Sequence, residues 1–214
     1  NFTIKKVIID TTDLSFHLIK DDVLKRYDYV IKREKHKSIT NKKYITTMLP
    51  LKMMNYEISK KNEFINWDKI GKSKPNTKFK FDVFFSGTPN NSRRREAIEL
   101  LKSKNLKFYG QLKRIPFNEY LDNIYNSSIN LAIAGVNGAE FTFRHLEILS
   151  CCSFLMCHKE INQLDLPLPI KDGEHFITFE NKNDMFEKIN FFLANDHLRA
   201  KIALNGRKIL EKYY

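Results

Sequence analysis

At 214 residues the chain is long enough for one sizeable core, or for one domain and part of another. Its 42% hydrophobic and 13% aromatic content excludes a disordered polymer, and no apolar run approaches a membrane span. The formal charge of +12 is uneven, +10 over residues 1–80 and +2 over the remainder, a basic third that suits nucleic acid, anionic lipid or a phosphorylated substrate.

Nucleic acid is the least expected of these, because the aromatic residues are not interleaved with the basic ones as stacking platforms. Peripheral association with a membrane through the basic residues of 1–80 stays open. The sequence starts at Asn1 without an initiator methionine, as a fragment would, and its N-terminus has no signal-peptide pattern, so a cytoplasmic location is expected.

In chain order, Lys6-Val-Ile-Ile-Asp10 is an apolar strand ending in acidic and hydroxyl residues. A helical stretch through Phe16 to Leu24 follows, and Tyr27–Ile31 reads as a second strand running into Lys32-Arg33-Glu34-Lys35. Tyr44 to Met54 is extended, since Pro50 interrupts it. Residues 55–80 turn polar, with Gly71 and Lys74-Pro75-Asn76, which predicts a linker with one short helix at 64–70 and a domain boundary near residue 78.

Phe81–Phe85 is a clear strand, followed by Ser86-Gly-Thr-Pro-Asn-Asn-Ser92 and a helix from Arg93 to Ser103, with Ser92 as its expected cap. Gly87 permits close backbone approach. Arg93, Arg94 and Arg95 oppose the helix dipole at its positive end, a conflict that an anion would relieve and that modestly favours a phosphate site. The loop is neither a Walker loop nor a G-x-G-x-x-G fingerprint. Next come a strand at Leu106–Tyr109 closing on Gly110, a helix at 117–126 and a strand at 129–134.

After the loop Gly135–Ala139, Glu140 leads into a helix with apolar positions Phe143, Leu146 and Leu149, and Ser153–Cys157 is a buried strand. Arg144 and Glu147 lie one helical turn apart on that helix. They form either a plain ion pair or the polar front of a site for an anionic ligand. Cys151, Cys152 and Cys157 have no partner cluster with metal-ligand spacing and read as small buried thiols. A short strand at 175–179 and helices at 182–193 and 197–212 finish the chain. Strands alternate with helices from residue 81 onward, which predicts an α/β, Rossmann-like parallel sheet with helices on both faces, preceded by a partial second α/β domain.

The order Ser86-Gly87, Phe-Tyr-Gly110, Phe143-Arg-His-Leu-Glu-Ile-Leu-Ser-Cys-Cys152, Asp172-Gly-Glu-His-Phe176 and the terminal Asn205-Gly-Arg207 resembles the donor-binding C-terminal domain of GT-B glycosyltransferases. It is most similar to the spore-maturation-type branch of the group 1 superfamily, over about residues 81–214. The resemblance implies residues 79–214 as a nucleotide-sugar donor domain and 1–78 as the end of the acceptor-side domain with the interdomain connection. It implies transfer of a sugar from a nucleotide-sugar donor to an acceptor hydroxyl in glycan or glycoconjugate synthesis, with no protein-bound metal and no cofactor.

In that scheme Glu147 takes the ribose hydroxyls, Arg144 the diphosphate, and Ser86-Gly87 approaches the phosphates, while Gly110 to Arg114 borders the nucleobase. Glu140 falls near the position of a donor-sugar carboxylate, but six residues separate it from Glu147 where the superfamily has seven. Cys152 replaces the usual glycine after the helix. The catalytic base is not identified; Asp13 and His17 are the nearby residues of suitable type, and both also fit structural roles. The alternatives are a non-catalytic nucleotide-sugar-binding module of the same fold and a basic nucleic-acid-binding protein.

Overall fold

A computed structural model describes residues 5–10, 17–47, 77–88, 91–113, 115–135 and 140–213. The helix expected at 64–70, the extended segment beyond Thr47, Asp13 and Arg114 lie outside these residues.

The first sheet has three parallel strands, β1 (Val7–Asp10), β2 (Tyr29–Lys32) and β4 (Tyr44–Thr46), in the order β1-β2-β4. Alternation puts Val30 and Tyr44 on the covered face, packed with Ile8, Ile19, Leu24 and Ile39. The opposite face leaves Val7, Ile9, Tyr29 and Ile45 exposed. The expected helix shortens to the single turn α1 (Asp21–Leu24). Lys20 is extended (ψ 141°), the Ile19 N–H donates to the Tyr44 hydroxyl at 2.8 Å, and His17 is drawn to Asp10. Tertiary partners therefore claim the groups that a longer helix would have used.

The second sheet comprises β5 (Phe81–Ser86), β6 (Phe108–Gln111), β7 (Ser127–Ala132), β8 (Leu155–His158) and β10 (Ile177–Phe179). All pair in parallel, in the order β10-β8-β7-β5-β6. Helices α2 (Ser92–Lys102), α5 (Lys182–Leu193) and part of α6 (Asp196–Tyr213) cover one face, where Leu101, Ile189 and Ile202 meet Val83, Phe85, Ile129 and Leu131. Helices α3 (Phe117–Tyr125) and α4 (Phe143–Ser150) cover the other, where Leu121, Ile124, Leu146 and Leu149 meet Phe84 and Ala132. This is the doubly covered sheet that the alternation predicts.

From His145 onward helix α4 is buried, between the sheet and α6. Gly206 of α6 makes that possible, since a Cβ there would stand 2.5 Å from Leu149 Cδ2 and 2.8 Å from the His175 carbonyl oxygen. Arg207 donates to the Ser150 carbonyl at the helix end. The terminal Asn-Gly-Arg sequence thus serves helix packing. Beyond α4, Cys152 adopts φ 50°, with Ser153 N bonded to Ile148 O (3.2 Å) and Cys152 N to Leu149 O (3.1 Å). That pair of bonds is the Schellman ending, which normally places glycine at this residue. All three thiols are buried and free.

Three boundaries differ from expectation. The N-cap of α2 is Asn91, not Ser92: its Oδ1 accepts from Arg94 N (2.9 Å) while its Nδ2 donates to Ala134 O (2.9 Å). An amide can cap the helix and hold β7's end at once, which a serine hydroxyl cannot reach to do. Gly110 lies within β6 opposite Phe85, and the Phe108 ring occupies the space its side chain would fill. Strand β7 spans 127–132, displaced toward the N-terminus from the predicted 129–134.

A short antiparallel ladder links the two sheets' loops. Strand β3 (Lys35–His36) pairs with β9 (Leu164–Asp165), reinforced by Lys37 N to Gln163 O (2.8 Å) and a Lys35–Asp165 ion pair (3.1 Å).

Candidate functional site

The chain passes from β5 to β6 on one side, then crosses back to build β7, β8 and β10 on the other. The crevice at the carboxyl ends of β5 and β7 is therefore the topological switch point, the place where open α/β sheets bind ligands. Four of the six buried side-chain polar atoms without a partner among the described residues lie along this edge: Gln111 Oε1, Arg144 Nε, His158 Nδ1 and Glu160 Oε2. Buried polar groups normally find partners, so their concentration here marks the functional edge.

Gly87 follows β5, and a Cβ on it would stand 2.9 Å from Phe85 Cζ and 3.3 Å from Arg144 Nη2. The Arg144 guanidinium lies over the Phe85 ring, 5.4 Å from its centroid. Lack of a side chain at Gly87 thus brings backbone and guanidinium side by side at the switch point. Ser86 is buried, its hydroxyl 3.4 Å from the Lys113 carbonyl oxygen, which ties the loops after β5 and β6 together.

Glu147 is 8% exposed and accepts a hydrogen bond from the Tyr120 hydroxyl at 2.8 Å. Burial raises its pKa above the ordinary carboxylate value, against the opposing pull of the Tyr120 bond and the Arg144 charge. No ion pair joins Arg144 to Glu147 among the described residues. The plain ion pair left open by the sequence is therefore not what forms; Glu147 instead meets the Tyr120 hydroxyl, whose own pKa is driven well up by burial, and the Arg144 charge acts on both groups. Tyr120 was not among the expected site residues. Its signal was available in outline, since it borders the buried Leu121 and Ile124 on an amphipathic helix, and a tyrosine hydroxyl on such a face requires a partner.

The Glu140 carboxylate accepts from Gly135 N, just after β7, at 3.2 Å. A Cβ on Gly135 would meet that carboxylate at 2.9 Å. The expected arginine cluster divides its duties. Arg94 is buried, with Nη2 3.2 Å from Ile133 O and Nη1 3.1 Å from Thr88 O, so it clamps the ends of β5 and β7 and is not turned outward. Arg93 pairs with Glu160 at 3.2 Å. The basic first turn is thus explained largely by structural contacts, with Arg94 supplying fixed positive charge behind the loop.

His145, in the first turn of α4, is buried and its Nδ1 accepts from the Thr142 N–H (3.1 Å), the back-bonding half of a capping box. Desolvation lowers its pKa to about 3, with the Arg144 charge acting in the same direction, so the ring is neutral. Arg33, just after β2, also acts on this ring, which places the end of the first sheet near the front of α4. At that end Asp10 and Lys32 pair at 2.6 Å, both buried, and His17 Nδ1 stands 3.0 Å from the same Asp10 oxygen. Among the described residues no group of three His, Cys, Asp or Glu side chains has metal-binding geometry, and no helix is long and apolar enough to cross a membrane.

Residues 93–214 match the family model described as glycosyl transferase-like. The fold is similar to the crystal structure of TarM, with TM-score 0.54 and 12% identity over 98% of this chain and 48% of that one. It is also similar to the Anabaena protein HepE, solved in complex with UDP and glucose, with TM-score 0.53 and 10% identity over 90% of this chain and 61% of that one. The chain therefore spans about half to three fifths of the length of these two structures. No curated protein sequence matches it.

Proposed function

The chain belongs to the glycosyl transferase-like family, and we propose that it transfers a sugar from a nucleotide-sugar donor to an acceptor hydroxyl in glycan or glycoconjugate synthesis. The observation that carries this reading is the approach of Gly87 to the Arg144 guanidinium at the switch point, with the buried Glu147 carboxylate one helical turn beyond Arg144. A guanidinium beside open backbone suits a diphosphate, and a buried carboxylate one turn away suits the paired hydroxyls of a ribose. The complex of HepE with UDP and glucose supports a uridine diphosphate donor.

In this reading the acceptor oxygen bonds to the anomeric carbon as the carbon–oxygen bond to the diphosphate breaks. The nucleoside diphosphate departs with the electron pair, and the hydroxyl proton passes to a general base. Arg144, backed by Arg94, stabilises the charge developing on the leaving group, so no protein-bound metal is assigned a part. The residues from Gly110 to Arg114 border the base, Ser86 steadies the phosphate loop, and Glu140 holds Gly135 beside the donor sugar. The basic residues of 1–80 are assigned to an anionic surface near the acceptor, such as the inner face of a membrane.

Titration with uridine, guanosine and adenosine diphosphates tests the reading. One of them binds saturably, and Arg144→Ala and Glu147→Ala each weaken that binding about tenfold or more, as loss of a charge-assisted contact requires. Absence of binding by all three, with neither variant changing anything, would overturn it.

A further inference from the structure

The Glu147 carboxylate has one anchor. Among the described residues the Tyr120 hydroxyl is the sole side-chain donor that reaches it, at 2.8 Å to Oε2. Tyr120 itself is held rigidly, its ring stacked on Phe117 (centroids 5.9 Å, interplanar angle 26°) and tilted against Phe84 (5.8 Å). The ring is thus fixed from α3 on one side and from β5 on the other. The Arg144 charge acts on both this hydroxyl and the carboxylate. Rotation about the terminal bond of a glutamate is broad and nearly two-fold, so an unanchored carboxylate in this position would turn freely.

We propose that Tyr120 is a positioning residue for ribose recognition, its hydroxyl holding Glu147 Oε2 so that Oε1 faces the paired hydroxyls of a nucleoside diphosphate. This rests on the assignment of Glu147 to the ribose. A phenol suits the position because it donates one hydrogen bond, accepts another, and adds no net charge to the crevice.

The test compares a nucleoside diphosphate (whichever of the uridine, guanosine and adenosine forms binds) with its 2′,3′-dideoxy analogue, on the 214-residue chain and on Tyr120→Phe, Glu147→Ala and the double variant. Tyr120→Phe keeps the ring and its stacking, and a thermal melt confirms folding. The ribonucleotide loses about tenfold in affinity, equivalent to about 1.4 kcal/mol, while the dideoxy analogue changes less than about twofold. On the Glu147→Ala background the Tyr120→Phe change leaves the ribo-to-dideoxy ratio where it was, because the positioned group is already gone. The acid limb of ribonucleotide binding also moves to higher pH in Tyr120→Phe, since the lost bond had been lowering the Glu147 pKa.

Equal weakening of both nucleotides by Tyr120→Phe, or no weakening of either, overturns the proposal while leaving the ribose assignment standing. A ribo-to-dideoxy ratio untouched by Glu147→Ala overturns the assignment itself, and the proposal with it.

Discussion

Gly206→Ala should destabilise the protein, against the ordinary rule for helices. Alanine in place of glycine inside an exposed helix gains about 1 kcal/mol. Here the added methyl would stand 2.5 Å from Leu149 Cδ2 and 2.8 Å from the His175 carbonyl oxygen. Carbon atoms prefer separations of about 3.5–4.0 Å, so the overlap with Leu149 amounts to roughly 1 Å or more. Leu149 is fully buried, so its side chain has no open space to enter, and the His175 oxygen is backbone. Overpacking costs about 1–3 kcal/mol, and two overlaps, one of them on backbone, put this case at about 2–3 kcal/mol; subtracting the helix gain leaves a net loss of about 1–2 kcal/mol, or roughly 2–8 °C in melting temperature for a domain of this size. Urea unfolding should show a lower midpoint with an unchanged slope. Leu149→Ala should cost less on the Gly206→Ala background than in the parent, because it removes one of the two clashing partners. Because α4 carries Arg144 and Glu147, nucleotide affinity should fall with the shift in helix position. A Gly206→Ala chain as stable as the parent, or more stable, would refute this account of how α4 is seated.

Gly87→Ala should lower nucleotide affinity at least about tenfold and cost about 1–3 kcal/mol of stability, since the new methyl stands 2.9 Å from Cζ of the buried Phe85 and pushes on Arg144 Nη2 at 3.3 Å; equal affinity by titration would count against the guanidinium position. Folding stability should fall as the solution is acidified. His145 and His158 have folded pKa values of about 3 and 4, below the ordinary histidine value, so the unfolded chain binds more protons in between. Their contribution is complete above about pH 6.5 and fades below it, by at most about 1.4 kcal/mol per pH unit for each ring, and urea midpoints at pH 7.5 and 5.5 measure it. Glu147 acts in the opposite sense, because its raised pKa favours the folded state as pH falls, so Glu147→Gln should be at least as stable as the parent at neutral pH while losing nucleotide. Cys152→Gly should stay within about 1 kcal/mol of the parent, relief at φ 50° offsetting the lost thiol contact, whereas Cys152→Val should lose about 2 kcal/mol or more in the same unfolding assay.

Most of the second sheet was legible from residue 81 onward because each strand is a continuous apolar run, each helix an amphipathic stretch, and glycine or proline separates them. The family resemblance could be recognised on the same ground, from motifs whose order survives even where Cys152 stands for glycine. Helix 16–24 was misread because its spacing suited a helix while its polar groups belonged elsewhere: the Ile19 N–H to Tyr44, and His17 to Asp10. Ser92 looked like the cap because it borders the helix, yet Asn91 alone reaches both the helix and β7. The three arginines read alike in sequence, and packing separated them, one turned inward to Ile133 and one paired with Glu160.

Local pattern by itself determined the alternation of strands and helices, the buried thiols and the presence of Arg144 and Glu147 one turn apart, because hydrophobic period and helical spacing act over a few residues. Only the tertiary structure decided what holds Glu147. The crossing from β6 back to β7 creates the crevice, and Tyr120 reaches Glu147 from 27 positions earlier in the chain. A hydrogen bond between residues so far apart depends on the sheet order and on how two helices pack, which no short-range spacing records.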